Sequence, residues 1–462
     1  MPVQRTLSPI DGEVVAERRL ASNSELETAL ELAQVAGDSW RKVPLAERID
    51  RVLCAASLLE GQRDLAAEEI TLQMGRPRLD AVHEIDGFAH MARAQAEVAE
   101  RALATMELPG PTGITRRVER VPVGVVFQMA SWNHPYTSVG GVSIPALLAG
   151  NAVVLRHSDQ TPLCAERLAT AFLEAGVPEG VFQALHLTQD RAARVVVDPR
   201  VQLVAYAGSV AGAQPILRAI AERAVGSMLQ FGGKDPAYVR ADADLDAAAE
   251  AIVGGVLANA GQSFSAVERI YVHEDRYEAF VERAVTQVER WVLGDPRTPS
   301  TTIGPVVRRR NAECIRRQID EAVGKGARAL VGEARWSQIV GGAYVAPQLL
   351  VNVDHRMSLM TEPTVGPVVG VQRVASDEEA LALMNDSRFG LSASVWTEDV
   401  ERAIALGARL QTGTVFMNQC DVVDPELAWG GVKESGRGCT LSRLGYEHMT
   451  RPKSYHLRQR VY

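Results

Sequence analysis

Two hydroxyl groups and one thiol are the candidate nucleophiles of this sequence. Ser263 and Ser265 flank Phe264, and Cys420 lies further along the chain. A serine hydroxyl attacks a carbonyl only when a base removes its proton, whereas a thiol is ionised to a few per cent without help. Cys420 is therefore the better candidate, with an ordinary buried thiol as the alternative. The carboxylates that can serve as a base are Asp421, Asp424 and Glu362.

The cysteines and histidines predict neither a metal site nor a disulfide framework. The five cysteines are far apart and form no C-x-x-C pair, and the nine histidines form no H-x-x-x-H pair. The usual dinucleotide signature, G-x-G-x-x-G, is also absent.

Charge and hydropathy exclude two classes of partner. The chain has 462 residues and a net charge of −8, and its one short basic run is residues 308–310. Binding to nucleic acid is therefore not expected. The first residues lack the apolar core of a signal peptide, and the apolar stretch 142–155 is interrupted by Pro145 and Gly150. These features predict a cytoplasmic protein with reduced thiols that does not enter a membrane.

Two short segments carry a resemblance to a known family. Residues 259–264 read Asn-Ala-Gly-Gln-Ser-Phe, and residues 230–234 read Gln-Phe-Gly-Gly-Lys. They resemble the Asn-x-Gly-Gln-x-Cys and Glu-Leu-Gly-Gly-Lys motifs of the NAD(P)-dependent aldehyde dehydrogenases. In that family the cysteine attacks the aldehyde and the glutamate is the general base. Here those positions are Phe264 and Gln230, so the resemblance implies that nucleophile and base are both lost.

A third segment keeps its functional side chain. Residues 131–135 read Ser-Trp-Asn-His-Pro, which is similar to the family's Pro-Trp-Asn-x-Pro. The resemblance implies that Asn133 donates to the oxyanion of the tetrahedral intermediate. The alternative is that Asn133 only stabilises the turn before Pro135.

The resemblance also implies an NAD or NADP site, which is retained only in part. Residues 156–159 (Arg-His-Ser-Asp) match the family's Lys-Pro-Ser-Glu, and residues 206–209 (Tyr-Ala-Gly-Ser) match its Phe-Thr-Gly-Ser. In its Glu-Glu-x-Phe-Gly-Pro motif, the glutamate that holds the nicotinamide ribose becomes Pro363, and the phenylalanine becomes Val365. We therefore expect a plausible adenosine half and a poorly equipped nicotinamide half. The implied cofactor positions are Trp132, Arg156, Ser158, Asp159, Gly208, Ser209, Gly232, Pro363 and Val365.

The elements that must position these residues alternate between strand and helix. Ser22 and Glu25 are typical of a helix start, and residues 1–100 read as mainly helical core faces. From residue 124 onwards, apolar runs alternate with helical stretches at 163–174, 211–224, 310–324 and 377–385. This pattern predicts an α/β protein with mostly parallel sheets.

The resemblance supplies the domain organisation. It implies a Rossmann-type NAD(P)-binding domain (1–103 and 123–232), a catalytic α/β domain (233–445) and a small β oligomerisation arm (104–122 and 446–462). The arm is expected to be a hairpin with its turn at 109–113, pairing across subunits with a C-terminal strand within 453–462. A homo-oligomer, either a dimer or a tetramer, follows from this arrangement.

Three functions remain open. In the first, the chain is a pseudoenzyme of the family, without NAD(P)-dependent aldehyde oxidation, that binds a protein partner or acts in assembly. In the second, it is an active oxidoreductase or hydrolase with a replacement nucleophile such as Cys420. In the third, the old cleft binds a small apolar ligand, lined by Phe264, Phe231, Val365 and Val423. A large cavity favours the binding function, and a collapsed one indicates that these side chains only fill space.

Overall fold

The computed structural model of the protein describes residues 2–336, 338–339 and 341–459. The helices are α1 (Asn23–Trp40), α2 (Leu45–Glu60), α3 (Arg63–Met74), α4 (Arg78–Leu103), α5 (Thr137–Leu148), α6 (Pro162–Glu174), α7 (Gln189–Val197), α8 (Val210–Ala221), α9 (Leu245–Leu257), α10 (Tyr277–Glu289), α11 (Arg309–Gly324), α12 (Ser358–Thr361), α13 (Asp377–Asn385), α14 (Val400–Gly407) and α15 (Ser442–Met449).

The strands are β1 (Val3–Leu7), β2 (Val14–Arg19), β3 (Met106–Leu108), β4 (Ile114–Pro122), β5 (Val125–Met129), β6 (Ala152–Arg156), β7 (Phe182–Ala184), β8 (Val201–Ala207), β9 (Gly226–Gln230), β10 (Asp235–Val239), β11 (Val267–His273), β12 (Arg328–Ala329), β13 (Gln348–Val351), β14 (Val368–Val374), β15 (Phe389–Gly390), β16 (Ser392–Trp396), β17 (Thr414–Met417), β18 (Val432–Lys433), β19 (Gly436–Arg437) and β20 (Thr450–Arg458).

The helix starts follow from local chemistry. The Ser22 side chain accepts a hydrogen bond from the Glu25 backbone N–H, and the Glu25 carboxylate accepts one from the Ser22 N–H. This reciprocal pair confirms the predicted start of α1. The helices predicted at 163–174, 310–324 and 377–385 are confirmed within a residue at each end, and the one predicted at 211–224 ends at Ala221.

Within the described residues, two large sheets form the body of the protein. One has the order β19-β9-β8-β5-β6-β7, in which all pairs except β19 with β9 are parallel. The other has the order β12-β13-β14-β11-β10-β16-β17, with only β12 antiparallel. Helices cover the apolar strands, as parallel sheets require. The predicted α/β class is confirmed, while the predicted domain boundaries stay a prediction.

The β arm corrects one prediction. The hairpin forms as expected from β3 and β4, but β20 pairs antiparallel with β4 of the same chain, from Thr450 opposite Pro122 to Arg458 opposite Ile114. Helix α15 delivers the chain beside β4, where the Val123 N–H donates to the Met449 carbonyl. The expected pairing of this strand with another subunit's hairpin is therefore wrong. Residues 460–462 of the predicted strand lie outside the described residues.

The turns after several strands bring distant segments together at one place. Asn133 follows β5, Gln230 ends β9, and Phe264 follows the 3₁₀ turn Ala258–Gly261. Among the described helices, none is both long enough and apolar enough to cross a membrane.

Candidate functional site

Phe264, Gln230 and Asn133 line one cavity of about 520 Å³. These positions are separated by up to 131 residues in the sequence, yet their segments meet where β5 and β9 end. The structure therefore brings the three predicted catalytic positions together. The cavity has not collapsed, and its volume is within the usual range of small-molecule sites.

The ring of Phe264 stands beside the glycines of the 230–234 segment. The Phe264 carbonyl accepts a hydrogen bond from the Gly233 N–H at 3.0 Å, and a Cβ on Gly232 would lie 3.7 Å from the ring. The turn before Phe264 passes close to the Gly366 backbone and requires a glycine, because Gly261 has a φ of 69° and a Cβ there would lie 2.2 Å from the Gly366 carbonyl oxygen. The nucleophile position thus presents a ring without a lone pair to the cavity.

Gln230 uses its amide as a donor. Its Nε2 donates to the Thr440 hydroxyl at 2.9 Å and to the Trp429 carbonyl at 3.3 Å. An ionised glutamate at position 230 would have no N–H to donate to the Trp429 carbonyl. The side chain here ties β9 to the 429–440 loop.

Asn133 keeps free donors at the cavity. Its Oδ1 accepts from the Ser131 hydroxyl at 2.8 Å, and its backbone carbonyl accepts from Arg76 and from Asn259, each at 3.2 Å. Only 1% of Asn133 is exposed, and its Nδ2 has no partner among the described residues. A buried amide without a partner is costly, so an acceptor in the cavity would satisfy it.

A buried ion pair on the α4 side was missed by the sequence analysis. Glu84 binds Arg76 Nη1 at 2.8 Å and His134 Nδ1 at 3.1 Å, and it also accepts from the backbone N–H groups of Tyr136 and Thr137. Burial alone would raise the pKa of Glu84. The hydrogen bond and charge of His134, the charge of Arg76 and the Thr137 N–H outweigh it, so the pKa lies far below its usual range.

The prediction that the first 100 residues supply only core faces is therefore wrong for part of α4. Arg76 precedes this helix, and Asp80, His83, Glu84 and His90 lie along one side of it and line the cavity. Together with Gly87, which also lines the cavity, positions 80, 83, 84, 87 and 90 follow the spacing of one helix face, and the sequence alone shows that spacing. His134, in the 131–135 segment, was the other visible signal.

Asp421 is the candidate carboxylate that reaches a candidate nucleophile. Its Oδ1 accepts from the Ser263 hydroxyl at 2.7 Å and from the Ser265 hydroxyl at 2.6 Å, and all three residues line the cavity. Burial raises the pKa of Asp421. Asp424 is exposed and does not line the cavity, and Glu362 is paired with Arg388.

Cys420 is absent from the cavity wall within the described residues. Its Sγ donates to the Ala251 carbonyl at 3.5 Å, and a Cβ on Gly255 would lie 2.5 Å from it. Burial and the neighbouring Asp421 raise the pKa of Cys420 to about 12. The thiol is therefore protonated and directed away from the cavity, so the structure does not bring it to the predicted site.

Of the four residues predicted to form an apolar lining, two do so. Phe264 and Val423 line the cavity, together with other apolar side chains such as Met91 and Trp429. Phe231 is instead buried against Tyr206, with 5.9 Å between the ring centroids. Val365 adopts a φ of 48° and lies outside the described lining. The prediction is wrong for these two residues, because Phe231 packs into the core beside Tyr206 and the Val365 backbone is bound to Glu268, outside the described lining.

The adenosine positions are largely engaged with the protein. Arg156 Nε donates to the Leu187 carbonyl at 3.2 Å, the Ser158 hydroxyl accepts from the Gln160 N–H, and Asp159 pairs with Arg308 at 2.7 Å. Trp132 is half-buried against a hydrophobic core. Asp159 would have to release Arg308 before it could accept a hydrogen bond from a ribose hydroxyl.

The start of α8 retains a helix N-terminus suited to an anion. Ser209 caps the helix by accepting from the Gly212 N–H. The Tyr206 hydroxyl crowds the two glycines there, since a Cβ on Gly208 or on Gly212 would lie 2.7 Å from it.

The nicotinamide end does not fit the cofactor. Pro363 offers only its backbone carbonyl, which accepts from Gln318 Nε2 at 3.4 Å. The adjacent carboxylate, Glu362, is exposed and paired with Arg388 at 2.6 Å. This position therefore holds no side-chain acceptor for a nicotinamide ribose. The described residues also contain no cluster of side chains suited to a metal ion.

A buried ion pair between Lys234 and Glu268 holds the backbone next to Pro363 in place. Lys234 Nζ lies 2.7 Å from Glu268 and 3.0 Å from the Thr364 hydroxyl, and both charged side chains are almost fully buried. Glu268 also accepts from the backbone N–H groups of Thr364 and Val365, each at 2.8 Å. The pair thereby fixes Val365 in a left-handed conformation that branched residues rarely adopt.

His157 predicts a pH dependence of stability. Its Nε2 donates to the Pro135 carbonyl at 2.9 Å and its Nδ1 lies 3.0 Å from the Thr161 hydroxyl, and burial lowers its pKa to about 4. The folded pKa lies below the unfolded value of 6.5, so the stability from the neutral ring is complete above pH 6.5 and is lost as the pH falls towards 4.

We expect the free energy of unfolding to fall by about 2 kcal/mol between pH 7 and pH 5 through this group. Denaturant titrations across that range measure it. In His157→Gln, whose amide can keep the bond to Pro135, the free energy of unfolding should depend less steeply on pH. His90→Gln, at an exposed histidine, should keep the pH dependence of the wild type. The same pH dependence in both variants would show that His157 is not the group responsible.

The sequence and the fold are both similar to those of known proteins. Residues 2–455 match the sequence model of the aldehyde dehydrogenase family. A succinate-semialdehyde dehydrogenase [NADP(+)] of Mycobacterium ulcerans is 33% identical over 449 residues, covering 96% of this chain and 97% of the relative. A succinate semialdehyde dehydrogenase [NAD(P)+] of Escherichia coli is 32% identical over 443 residues, covering 95% of each. The crystal structure of succinic semialdehyde dehydrogenase from Streptococcus pyogenes with NADP+ superposes with a TM-score of 0.94 at 29% identity, covering 98% of this chain and 100% of that one.

Proposed function

The chain belongs to the aldehyde dehydrogenase family, and from that premise we propose that it is a pseudoenzyme whose central cavity binds a small molecule without oxidising an aldehyde. One observation carries the proposal: Phe264 and Gln230 occupy the nucleophile and base positions of one open cavity. Among the described residues, no thiol lines that cavity. The cavity keeps a volume of about 520 Å³ although both positions are substituted, which supports binding without catalysis.

The test is an oxidation assay with NAD and with NADP over a panel of aldehydes. The panel includes succinate semialdehyde, after which both relatives are named. We expect no NADH or NADPH above the rate of a heat-denatured control. Sustained reduction of either cofactor, with the purity of the protein confirmed, would refute the proposal.

A serine-based hydrolase is the second candidate, favoured by the contacts of Asp421 with Ser263 and Ser265. It is the weaker of the two, because a carboxylate is a poor base for a hydroxyl even when burial raises its pKa. His134, the imidazole nearest in the sequence to Asn133, contacts Glu84 and Arg76. His83 and His90 also line the cavity, but among the described residues no imidazole makes a hydrogen bond with either serine hydroxyl, so no imidazole is in place to take the proton.

Cofactor binding should be limited to the adenosine half. Because Pro363 supplies no acceptor for the nicotinamide ribose, we expect calorimetry to give NAD and ADP dissociation constants within about threefold of each other. Pro363→Glu adds that acceptor and should favour NAD over ADP by about tenfold. If wild-type protein already binds NAD far more tightly than ADP, another group holds the nicotinamide half.

We also propose that the chain is a cytoplasmic homo-oligomer. In support, its cysteines are free, and the strands β3 and β20 on either side of β4 are largely exposed in the single chain. A sheet of this kind gains stability when a second subunit covers it.

A further inference from the structure

The charges on the cavity wall do not balance. Among the described residues that line it, Arg76 is the sole lysine or arginine, and Asp80, Glu84 and Asp421 are the carboxylates. Arg76 lies 2.8 Å from Glu84, so these two charges compensate each other. The wall also contains three imidazoles, those of His83, His90 and His134, and His134 contacts Glu84 at 3.1 Å. Among the described residues, Asp80 and Asp421 form no ion pair with any of these groups or with Arg76.

The two remaining carboxylates make few contacts with the protein. Both serine hydroxyls donate to Oδ1 of Asp421, and in the described part of the chain its Oδ2 has no hydrogen-bond partner. The Asp80 side chain likewise makes no hydrogen bond or ion pair with a described residue. Burial raises the pKa of both groups, and neither the charges of Arg76 and His83 near Asp80 nor the serine hydrogen bonds and the charges of His134 and Arg76 near Asp421 fully offset it. A further positive group in the cavity would therefore favour their charged forms.

Aromatic side chains supply the other part of the wall. Phe264, Trp291 and Trp429 line the cavity with Met91 and Leu441. The face of an aromatic ring attracts a cation and at the same time buries the apolar body of an organic ion. Carboxylate and aromatic groups together are the usual components of a site for an organic ammonium group.

A second observation indicates that a ligand completes the cavity. Asn133 Nδ2 is buried and has no partner among the described residues, although the Asn133 side chain lines the cavity. A molecule that fills the space can place an acceptor or an ordered water against this amide. The carboxylates, the rings and the amide thus belong to one site.

We propose that the cavity binds a small organic cation, a protonated amine or quaternary ammonium ion with an apolar body, whose charge lies against Asp421. This assignment rests on the binding role proposed above and specifies its ligand class. An anion would meet uncompensated carboxylates, and a neutral molecule would leave them unpaired.

Three probes of matched shape test the assignment on the full-length wild-type protein by calorimetry: 4-phenylbutylamine, 4-phenylbutanol and 4-phenylbutanoate. We expect the amine to bind about tenfold more tightly than the alcohol, and the carboxylate to bind more weakly than both. Equal affinities for amine and carboxylate, or binding of neither, would overturn the proposal.

A matched pair of variants locates the charge. Asp421→Asn keeps an oxygen acceptor for Ser263 and Ser265 and should lower amine affinity about tenfold while leaving alcohol affinity unchanged. Asp424→Asn, at an exposed aspartate outside the described lining, should change neither. Equal effects of the two variants would overturn the role of Asp421. If Asp421→Asn does not fold, the comparison of the three probes on wild-type protein still decides.

Different results would refute the loss of catalysis and the cationic ligand. Cofactor reduction with an aldehyde refutes the loss of chemistry, whatever the charge preference of the cavity. Binding without a preference for the amine refutes the cationic ligand, even when no aldehyde is oxidised.

Discussion

Phe264→Cys combined with Gln230→Glu is expected to turn the protein into a measurable esterase. The two positions share one cavity, and Asn133 still presents a free amide to the oxyanion. The new carboxylate cannot donate to the Trp429 carbonyl as Gln230 does, so it should turn towards the cavity and assist the thiol. General-base help is worth ~10²–10⁴-fold, which sets the expected gain of the double variant over Phe264→Cys alone.

Hydrolysis of p-nitrophenyl acetate is the measurement, because it needs no cofactor and so avoids the defect at Pro363. Phe264→Ala with Gln230→Glu is the control, since it opens the same space without a nucleophile. If the Cys/Glu variant folds and is no faster than this control, positions beyond 264 and 230 have also lost their catalytic geometry.

The second large effect concerns stability. Glu268→Ala is expected to lower the free energy of unfolding by about 3–5 kcal/mol, because it leaves the buried Lys234 ammonium without its partner. It also removes the acceptor of two backbone N–H groups, those of Thr364 and Val365. Burial lowers the pKa of Lys234 against the opposing effect of Glu268, so the lysine should lose its proton more readily in this variant.

Denaturant unfolding of the wild type and of three variants measures these changes in stability. Glu282→Ala, at an exposed glutamate on α10, should change stability by less than about 0.5 kcal/mol. Adding Lys234→Met to Glu268→Ala should recover part of the loss, since the orphaned charge is gone. If the double variant is no more stable than Glu268→Ala, the lost backbone contacts and not the lysine account for the effect.

Much of the fold was readable because it depends on local signals. The capping pair Ser22 and Glu25 marked the start of α1, and the apolar spacing of α11 and α13 gave their bounds nearly to the residue. Alternation of strand and helix gave the α/β class. The partner of β20 could not be predicted, because the sequence of a strand does not specify the strand with which it pairs. The position of α15 places β20 beside β4 of the same chain.

The site was readable where it consists of motif positions and not where it consists of tertiary contacts. Phe264, Gln230 and Asn133 were assigned by their neighbours in the sequence, and the structure brings them together. The pairing of Arg76 with Glu84 depends on how α4 packs against the 131–137 segment, which no local pattern specifies. Asp421 was one of three candidate carboxylates, and only the fold of its loop places it beside the serines.

Intact-mass spectrometry after incubation with p-nitrophenyl acetate tests the central claim, that this cavity holds no working nucleophile, most directly. We expect no acetyl group on Ser263, Ser265 or Cys420. Phe264 cannot be acylated, no described imidazole makes a hydrogen bond with either serine, and the Cys420 thiol lies outside the cavity wall. Peptide mapping separates these residues from surface lysines. An acetyl group on Ser263, Ser265 or Cys420 that a cavity ligand such as 4-phenylbutylamine prevents would contradict the account and establish a replacement nucleophile.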